Sequence, residues 1–347
     1  MAGGIGSRFW PVSTEKKPKQ FLDILGMGKS LLQITYERLC LTIPKENIYV
    51  LTNKIYIELV LEQLPALKKM QVLAEPKRKN TAPCIAYASA KIHALNKNAT
   101  LVISPSDHLI IDVNKFCNQL ETAINNSKKD NLVVLGIKPT RPDTGYGYIE
   151  FNSNKDPITG AIVDVARFCE KPNKSKAESF LKQGNFFWNA GIFVLSTKTA
   201  KKSFKQNAPT LYNSFYKEAD IYWTKKETAF IDQAFEDSTS ISFDYAIMEK
   251  AKNITMVLTD FDWSDLGTWG SVKEEIDKDE NNNASISKGV YFFDSENCLF
   301  RGEEKKKYII EGLKNFILID SKDKFLLIPS DKEEFLKERL KQSGEKI

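Results

Sequence analysis

Three nearly unbroken apolar runs limit most tightly what this chain can fold into: Ile48–Thr52, Thr100–Ile103 and Leu132–Ile137. Runs that lack polar alternation belong to strands buried on both faces of a sheet, as in parallel sheets. Between them, Leu31 to Leu41 and Pro83 to Leu95 carry helical spacing. In the second segment Ile85, Ala88, Ile92 and Leu95 recur at threes and fours. Short apolar runs alternating with amphipathic segments predict an α/β sheet with crossover helices. After about residue 145 the pattern changes, and Tyr148–Phe151 and Val163–Phe168 alternate as strands of a mixed or antiparallel section do. Lys278 to Asn283 is polar and rich in turn formers, a linker. Beyond it Gly289–Phe293, Asn315–Ile319 and Phe325–Pro329 read as strands, and a helix from Glu333 to Lys341 follows. The expected organisation is a large domain over 1–280 and a small β unit over 281–347.

Composition removes several function classes. With 42% hydrophobic residues, 11% of the chain being aromatic, 347 residues suffice for a sizeable core. No apolar run approaches the roughly 18 to 20 residues of a membrane helix, and no basic-then-apolar leader opens the chain, which predicts a cytoplasmic protein with no membrane partner. The net charge of +5 is spread along the sequence. Its densest basic cluster, Lys305–Lys307, follows Glu303 and Glu304 and reads as a solvated turn, so no nucleic-acid partner is expected. Five scattered cysteines (Cys40, Cys84, Cys117, Cys169, Cys298) form no CxxC pair and suit a reducing compartment. Two histidines, His93 and His108, exclude a His-rich zinc site. Most of the five tryptophans (Trp10, Trp188, Trp223, Trp263, Trp269) are expected in the core.

Glycines at 3, 4 and 6 allow the backbone to curl and turn its N–H groups toward an anion. Arg8 can grip phosphate oxygens bidentately, and Lys19 offers a mobile point charge. A dinucleotide fingerprint fails because Phe9 stands where the third glycine belongs, which removes an NAD-dependent oxidoreductase. Gly28-Lys29-Ser30 is preceded too closely by Gly26 to be a P-loop.

The string from Gly3 to Phe21, GGIGSRFWPVSTEKKPKQF, resembles bacterial mannose-1-phosphate guanylyltransferases, whose pattern GGxGxRxWPxSxxxxPKQF it meets at every defined position. The resemblance continues at Glu75-Pro76, Asn80–Pro83, Ser106–His108, Gly145–Ile149, Glu170–Pro172, Trp188–Phe193, Phe243–Lys250 and Trp263–Trp269, in family order over roughly residues 2–270. It implies a Rossmann-like, GT-A-like nucleotidyltransferase fold around a mixed, mainly parallel sheet, with a small left-handed β-helix-like C-terminal extension. It implies transfer of GMP from GTP to α-D-mannose 1-phosphate, with Mg²⁺ as cofactor and a homodimer as assembly. By the same resemblance Asp107 and Asp265 hold the metal; Asp265 is preferred to Asp262 because the family ligand precedes Leu-Gly-Thr-Trp. Arg8 then faces the departing pyrophosphate, and Lys19 reaches the α-phosphate and the incoming sugar phosphate. Ala2, Gly3, Gly4, Gly6, Ser7, Glu75, Asn80, Thr81, Ala82 and Pro83 complete the nucleotide site with Arg8, Lys19 and Asp107. Gly147, Glu170, Lys171, Asn189 and Asp265 form the sugar-phosphate site. Read without the family, these aspartates, Glu170–Pro172 and Asn189 are ordinary cap or turn residues.

Departures from the pattern carry expectations of their own. Lys79 stands where the family usually has arginine, which loosens the expected strictness for guanine. A chain ending at Ile347 leaves no room for the cupin isomerase domain of some relatives, so a single activity is expected. The fold also calls for a buried strand of about five apolar residues ahead of the glycine loop, where this sequence has Met1 and Ala2. Lacking that strand's burial and ladder partners, the chain is expected to be less stable or less active by several kcal/mol of lost packing. Two rivals remain: transfer of another nucleotide or to another sugar 1-phosphate, and a catalytically silent regulatory homologue. The second should have lost Lys19, Asp107 or Asp265, and all three are present.

Overall fold

The computed structural model describes residues 1–4, 6–152 and 158–345. Helix α1 (Leu31–Leu39) opens on a capping box between Ser30 and Gln33 and is followed by strand β1 (Val50–Asn53), helix α2 (Ile57–Gln63) and strand β2 (Val72–Glu75). Helix α3 (Thr81–Leu95) starts at Asn80, whose side chain accepts from the Thr81 N–H at 2.8 Å. Pro83 lies in its first turn, where a missing N–H costs nothing. Strands β3 (Thr100–Ile103) and β4 (Leu109–Ile110), helix α4 (Val113–Ser127), and strands β5 (Leu132–Ile137), β6 (Tyr148–Phe151) and β7 (Ile162–Cys169) come next. Helix α5 (Lys174–Gln183), strand β8 (Phe186–Ser196), helices α6 (Thr197–Asn207), α7 (Pro209–Tyr216) and α8 (Glu227–Asp237), strands β9 (Ile254–Thr259) and β10 (Trp263–Ser264), and helix α9 (Trp269–Glu274) complete the larger part.

The main sheet has six strands in the order β3-β8-β5-β9-β7-β6. In β5 every residue is buried, and period-two geometry sends Leu132 and Val134 into one core and Val133, Leu135 and Ile137 into the other. Helices α3, α6, α7 and α8 cover the first core, and α4 and α5 the second. The sheet corrects one expectation: among its pairings only β5 with β9 is parallel, so it is mixed but mainly antiparallel. Three of the antiparallel pairings come from β8, an 11-residue strand that runs between β3 and β5 and also pairs with β6, and two from β7, which runs antiparallel to both β9 and β6. Long apolar runs reveal burial on both faces, but the direction of a strand depends on its partners.

β1 and β2 form a separate parallel pair. Between β1 and β3 the chain's first residues make one rung of a parallel ladder. Met1 N donates to the Ser104 carbonyl (2.8 Å), Ser106 N donates to that of Met1 (3.1 Å), and Ala2 N donates to that of Leu51 (2.7 Å). Behind that rung an apolar slot of about 550 Å³, lined by Leu51, Ile85, Ile92, Leu101 and Ile103 among others, separates the two strand edges. No strand among the described residues fills it, which leaves β3 only half-buried.

The C-terminal part contains β11 (Ala284–Ser285), β12 (Val290–Phe293), β13 (Leu299–Arg301), β14 (Tyr308–Glu311), β15 (Phe316–Ser321), β16 (Lys324–Pro329) and helix α10 (Leu336–Gln342). β11, β13 and β15 pair in parallel, β16 turns back antiparallel on β15, and β12 pairs in parallel with β14. Leu299, Ile317, Ile319, Leu336 and Leu340 share one core with Phe9, Leu22, Trp269 and Val272, so this part packs directly against the glycine loop.

Candidate active site

The glycine loop is pinned from within. Gln20 donates its side-chain amide to the carbonyls of Ala2 (2.8 Å) and Gly4 (3.0 Å). Gly6 has φ +65°, and a Cβ there would lie 2.5 Å from that of Lys19, so only glycine lets the loop close on this lysine. Ser7–Phe9 forms a single 3₁₀ turn that leaves Arg8 exposed and buries Phe9 against the Trp269 ring, with centroids 5.0 Å apart.

Two distant aspartates meet over this loop because β4 pairs antiparallel with β10, Leu109 opposite Ser264. That register sets Asp107 and Asp265 on adjoining ends of one short ladder. The buried Lys19 joins them: its ammonium donates to Asp107 Oδ2 at 3.2 Å and to the Asp265 carbonyl at 2.7 Å. Burial alone would raise the Asp107 carboxyl, but Lys19 and the adjoining His108 outweigh it and hold it below the usual carboxylate range. Asp265 Oδ1 accepts from the Tyr146 hydroxyl (2.8 Å) and the Gly267 N–H (3.0 Å). Asp262 is exposed at φ +51° and engages Ile111 through its carbonyl. His108 Nδ1 accepts from the Trp263 indole (3.2 Å), and burial lowers the imidazole below its ordinary value. Among the described residues no group of three or more His, Cys, Asp and Glu side chains could hold a metal unaided. Two carboxylates with substrate phosphates and waters nonetheless make a hard-oxygen set of the kind Mg²⁺ takes.

A second cluster lies where β6, β7 and β8 meet. A Cβ on Gly147 would stand 2.6 Å from Glu170 Oε2, so glycine is required for that carboxylate to lie over the backbone. Lys171 donates to Glu170 Oε1 at 2.8 Å. Asn189 accepts from the Gly191 N–H (2.9 Å) and donates to Asp244 Oδ1 (2.8 Å).

The segment from Glu75 to Pro83 borders the glycine loop through Glu75. Glu75 is buried beneath Gly3, and burial raises its carboxyl above the usual value. Ala82 and Pro83 are buried in α3, and Asn80 and Thr81 stand at its start. Lys79 donates to the Ser238 carbonyl (2.8 Å), while Arg78 donates to the Tyr56 hydroxyl (2.7 Å).

A family model described as nucleotidyl transferase matches residues 1–282. The chain belongs to the nucleotidyl transferase family. It is 34% identical to the alginate biosynthesis protein AlgA of Pseudomonas putida over 99% of this chain and 71% of that protein. It is also 34% identical to a mannose-1-phosphate guanylyltransferase of Klebsiella pneumoniae, over 99% of this chain and 73% of that one. Among solved structures, a Thermus thermophilus protein described as a mannose-1-phosphate geranyltransferase superposes with a TM-score of 0.86. That pair is 28% identical and covers 99% of this chain and 98% of the other.

Within this nucleotidyltransferase, sequence reasoning passed over three residues that the fold brings to the site. Tyr146 lies inside a motif already singled out, yet its hydroxyl reaches Asp265 across 119 positions. Asp244 likewise sits in a recognised block without a role assigned to it. Glu333, from the turn before α10, accepts from the N–H groups of Trp269 and Gly270 where the Asp265 loop enters α9. No local signal marks Glu333, because its partners are more than 60 positions away.

Proposed function

We propose that this nucleotidyltransferase transfers GMP from GTP to α-D-mannose 1-phosphate, giving GDP-mannose and pyrophosphate. The observation that carries the reading is Lys19 bridging Asp107 and Asp265 beside the glycine loop, together with the guanylyltransferase named among its relatives. A phosphate oxygen of the sugar phosphate attacks the α-phosphorus, the new P–O bond forms, and the bond to the β-phosphate breaks. Such chemistry needs positioning and charge neutralisation more than covalent help. In this reading Lys19 neutralises charge at the α-phosphate, and the exposed Arg8 receives the leaving pyrophosphate. Gly3, Gly4, Gly6 and Ser7 supply backbone around the phosphates, while Glu170, Lys171, Asn189 and Gly147 orient the mannosyl phosphate. Asp107 and Asp265 would hold Mg²⁺, which when bound supplies Lewis-acid charge to the phosphate oxygens.

The same reading assigns residues 1–280 to catalysis and 281–347 to a compact β unit. Its successive parallel pairings, β11 to β13 to β15 and β12 to β14, support a β-helix-like coil. Exposed Tyr291, Phe293 and Ile309 on the paired β12 and β14 support a homodimer formed through that unit. Five free cysteines, and no helix among the described residues long and apolar enough to cross a membrane, support a cytoplasmic enzyme. Pyrophosphate release across each nucleoside triphosphate and a panel of sugar 1-phosphates tests the assignment. GTP with mannose 1-phosphate should be fastest and EDTA should abolish release; EDTA-insensitive turnover would overturn the metal role.

A further inference from the structure

We propose that Asp244, through its bond to Asn189 and its place beside Glu170, is a specificity-determining residue that fixes which hexose 1-phosphate the pocket accepts. The inference rests on the sugar-phosphate reading of the Gly147, Glu170, Lys171 and Asn189 cluster and adds to it a residue from a distant element.

Asp244 opens a π-helical turn over Asp244–Met248, a rare backbone form found often at functional sites. The turn is anchored by apolar burial: Ala246, Ile247 and Met248 all lie in the main core. Its two ends reach the pocket independently. At one end Asp244 Oδ1 accepts from Asn189 at 2.8 Å, and at the other Glu249 Oε1 accepts from the Glu170 N–H at 3.4 Å. The segment therefore forms the back wall behind both sugar-facing side chains.

The bond to Asn189 settles how that amide is presented. Its oxygen is already held by the Gly191 N–H and one amide hydrogen by Asp244, so the second amide hydrogen is left for a ligand. Without Asp244 only the Gly191 N–H still fixes which way the amide faces. The Asp244 carboxylate has about four acceptor positions, of which Asn189 takes one. Burial, with the nearby Glu170 carboxylate second, raises the Asp244 carboxyl to about 6. Lys171 is the cation facing both acids: it donates to Glu170 and its charge acts on Asp244. Two carboxylates and one oriented amide hydrogen, brought together from the residue after β7, the π-helical turn and β8, suit neighbouring ring hydroxyls, each able to donate and accept. A pocket built to pair with hydroxyls discriminates strongly when one pairing is lost, because a buried polar group is left unmatched.

The test compares wild-type enzyme with Asp244→Asn and Asp244→Ala, measuring KM for mannose 1-phosphate, KM for the nucleotide, kcat, and the preference for mannose over glucose 1-phosphate. Asp244→Ala should raise KM for the sugar phosphate about tenfold or more and carry the preference toward unity, with the nucleotide KM within about twofold. Asp244→Asn keeps an acceptor for Asn189 and should fall between. An unchanged sugar-phosphate KM and preference in both variants, with melting temperatures near wild type, overturns the inference; so does an equal rise in both KM values, which marks a merely structural residue. If the wild type uses a different hexose 1-phosphate, the mannose assignment fails while the same variants, measured with that substrate, still decide the role of Asp244. If it uses no hexose 1-phosphate, both fall.

Discussion

Glu333→Ala should loosen the active site from outside it. The carboxylate accepts from Trp269 N and, at 3.0 Å, from Gly270 N, capping the first turn of α9 immediately after the loop that carries Asp265. Trp269 is fully buried, bears on Phe9, and donates its indole N–H to the Trp10 carbonyl at 3.2 Å, so the clasp governs both the Asp265 loop and the glycine loop. Hydrogen bonds to a charged acceptor contribute roughly 1.5–3 kcal/mol each. Burial raises the Glu333 carboxyl above its usual value, so desolvation offsets part of that gain. A net loss of about 3 kcal/mol is the expected result, which for a chain of this size corresponds to a fall of roughly 4 °C in melting temperature. Differential scanning fluorimetry reads the melt, and steady-state kinetics should show a lowered kcat, because Asp265 and Phe9 lose their common support. Glu333→Gln, which keeps an acceptor, should lose less than half as much. A Glu333→Ala protein that melts within about 1 °C of wild type and turns over normally would refute the reasoning.

Three further outcomes are expected. Asp265→Asn should lower kcat by orders of magnitude with little change in the melt, since the amide can still accept from Tyr146 and Gly267; wild-type rates would remove the metal role. Asp244 carries a folded-state pKa of about 6, above its ordinary value of 3.8. Its stabilising contribution is thus complete below pH ~4 and is lost as pH rises through ~6. Melts of Asp244→Asn relative to wild type should accordingly gain about 1–2 kcal/mol between pH 4 and 7, allowing for partial exposure of the carboxylate, and a difference constant with pH would refute the assignment. An extended apolar pentapeptide fused ahead of Met1 should seat in the slot between β1 and β3 and raise the melting temperature by several degrees, whereas equal melts would show that the slot accepts no strand.

How far the fold was legible follows from where each signal resides. β5 was readable at its observed limits because burial on both faces is written in consecutive apolar residues, and β3 was readable from the same kind of run although the slot beside it leaves it half-buried. The chain direction of β8 was not, since its Trp188–Phe193 stretch looks the same whichever way its neighbours run. The expected linker illustrates a second blind spot. Asn283 is 2% exposed and bonded to Asp279 and to the Ser295 carbonyl, so a run of turn formers became a fixed joint. In the site, Lys19, Asp107 and Asp265 were legible from short motifs, while their convergence depends on the ladder between β4 and β10. The basic residues after Glu75 needed coordinates, because Lys79 is spent on Ser238 and Arg78 on Tyr56.

The most direct test of the central claim is the rate of GDP-mannose formation from GTP and mannose 1-phosphate with Mg²⁺, measured by product chromatography. The expected result is a kcat/KM above about 10⁴ M⁻¹s⁻¹, at least tenfold higher than for any other nucleotide paired with mannose 1-phosphate. No GDP-mannose from a folded protein that turns over a different pair would contradict it.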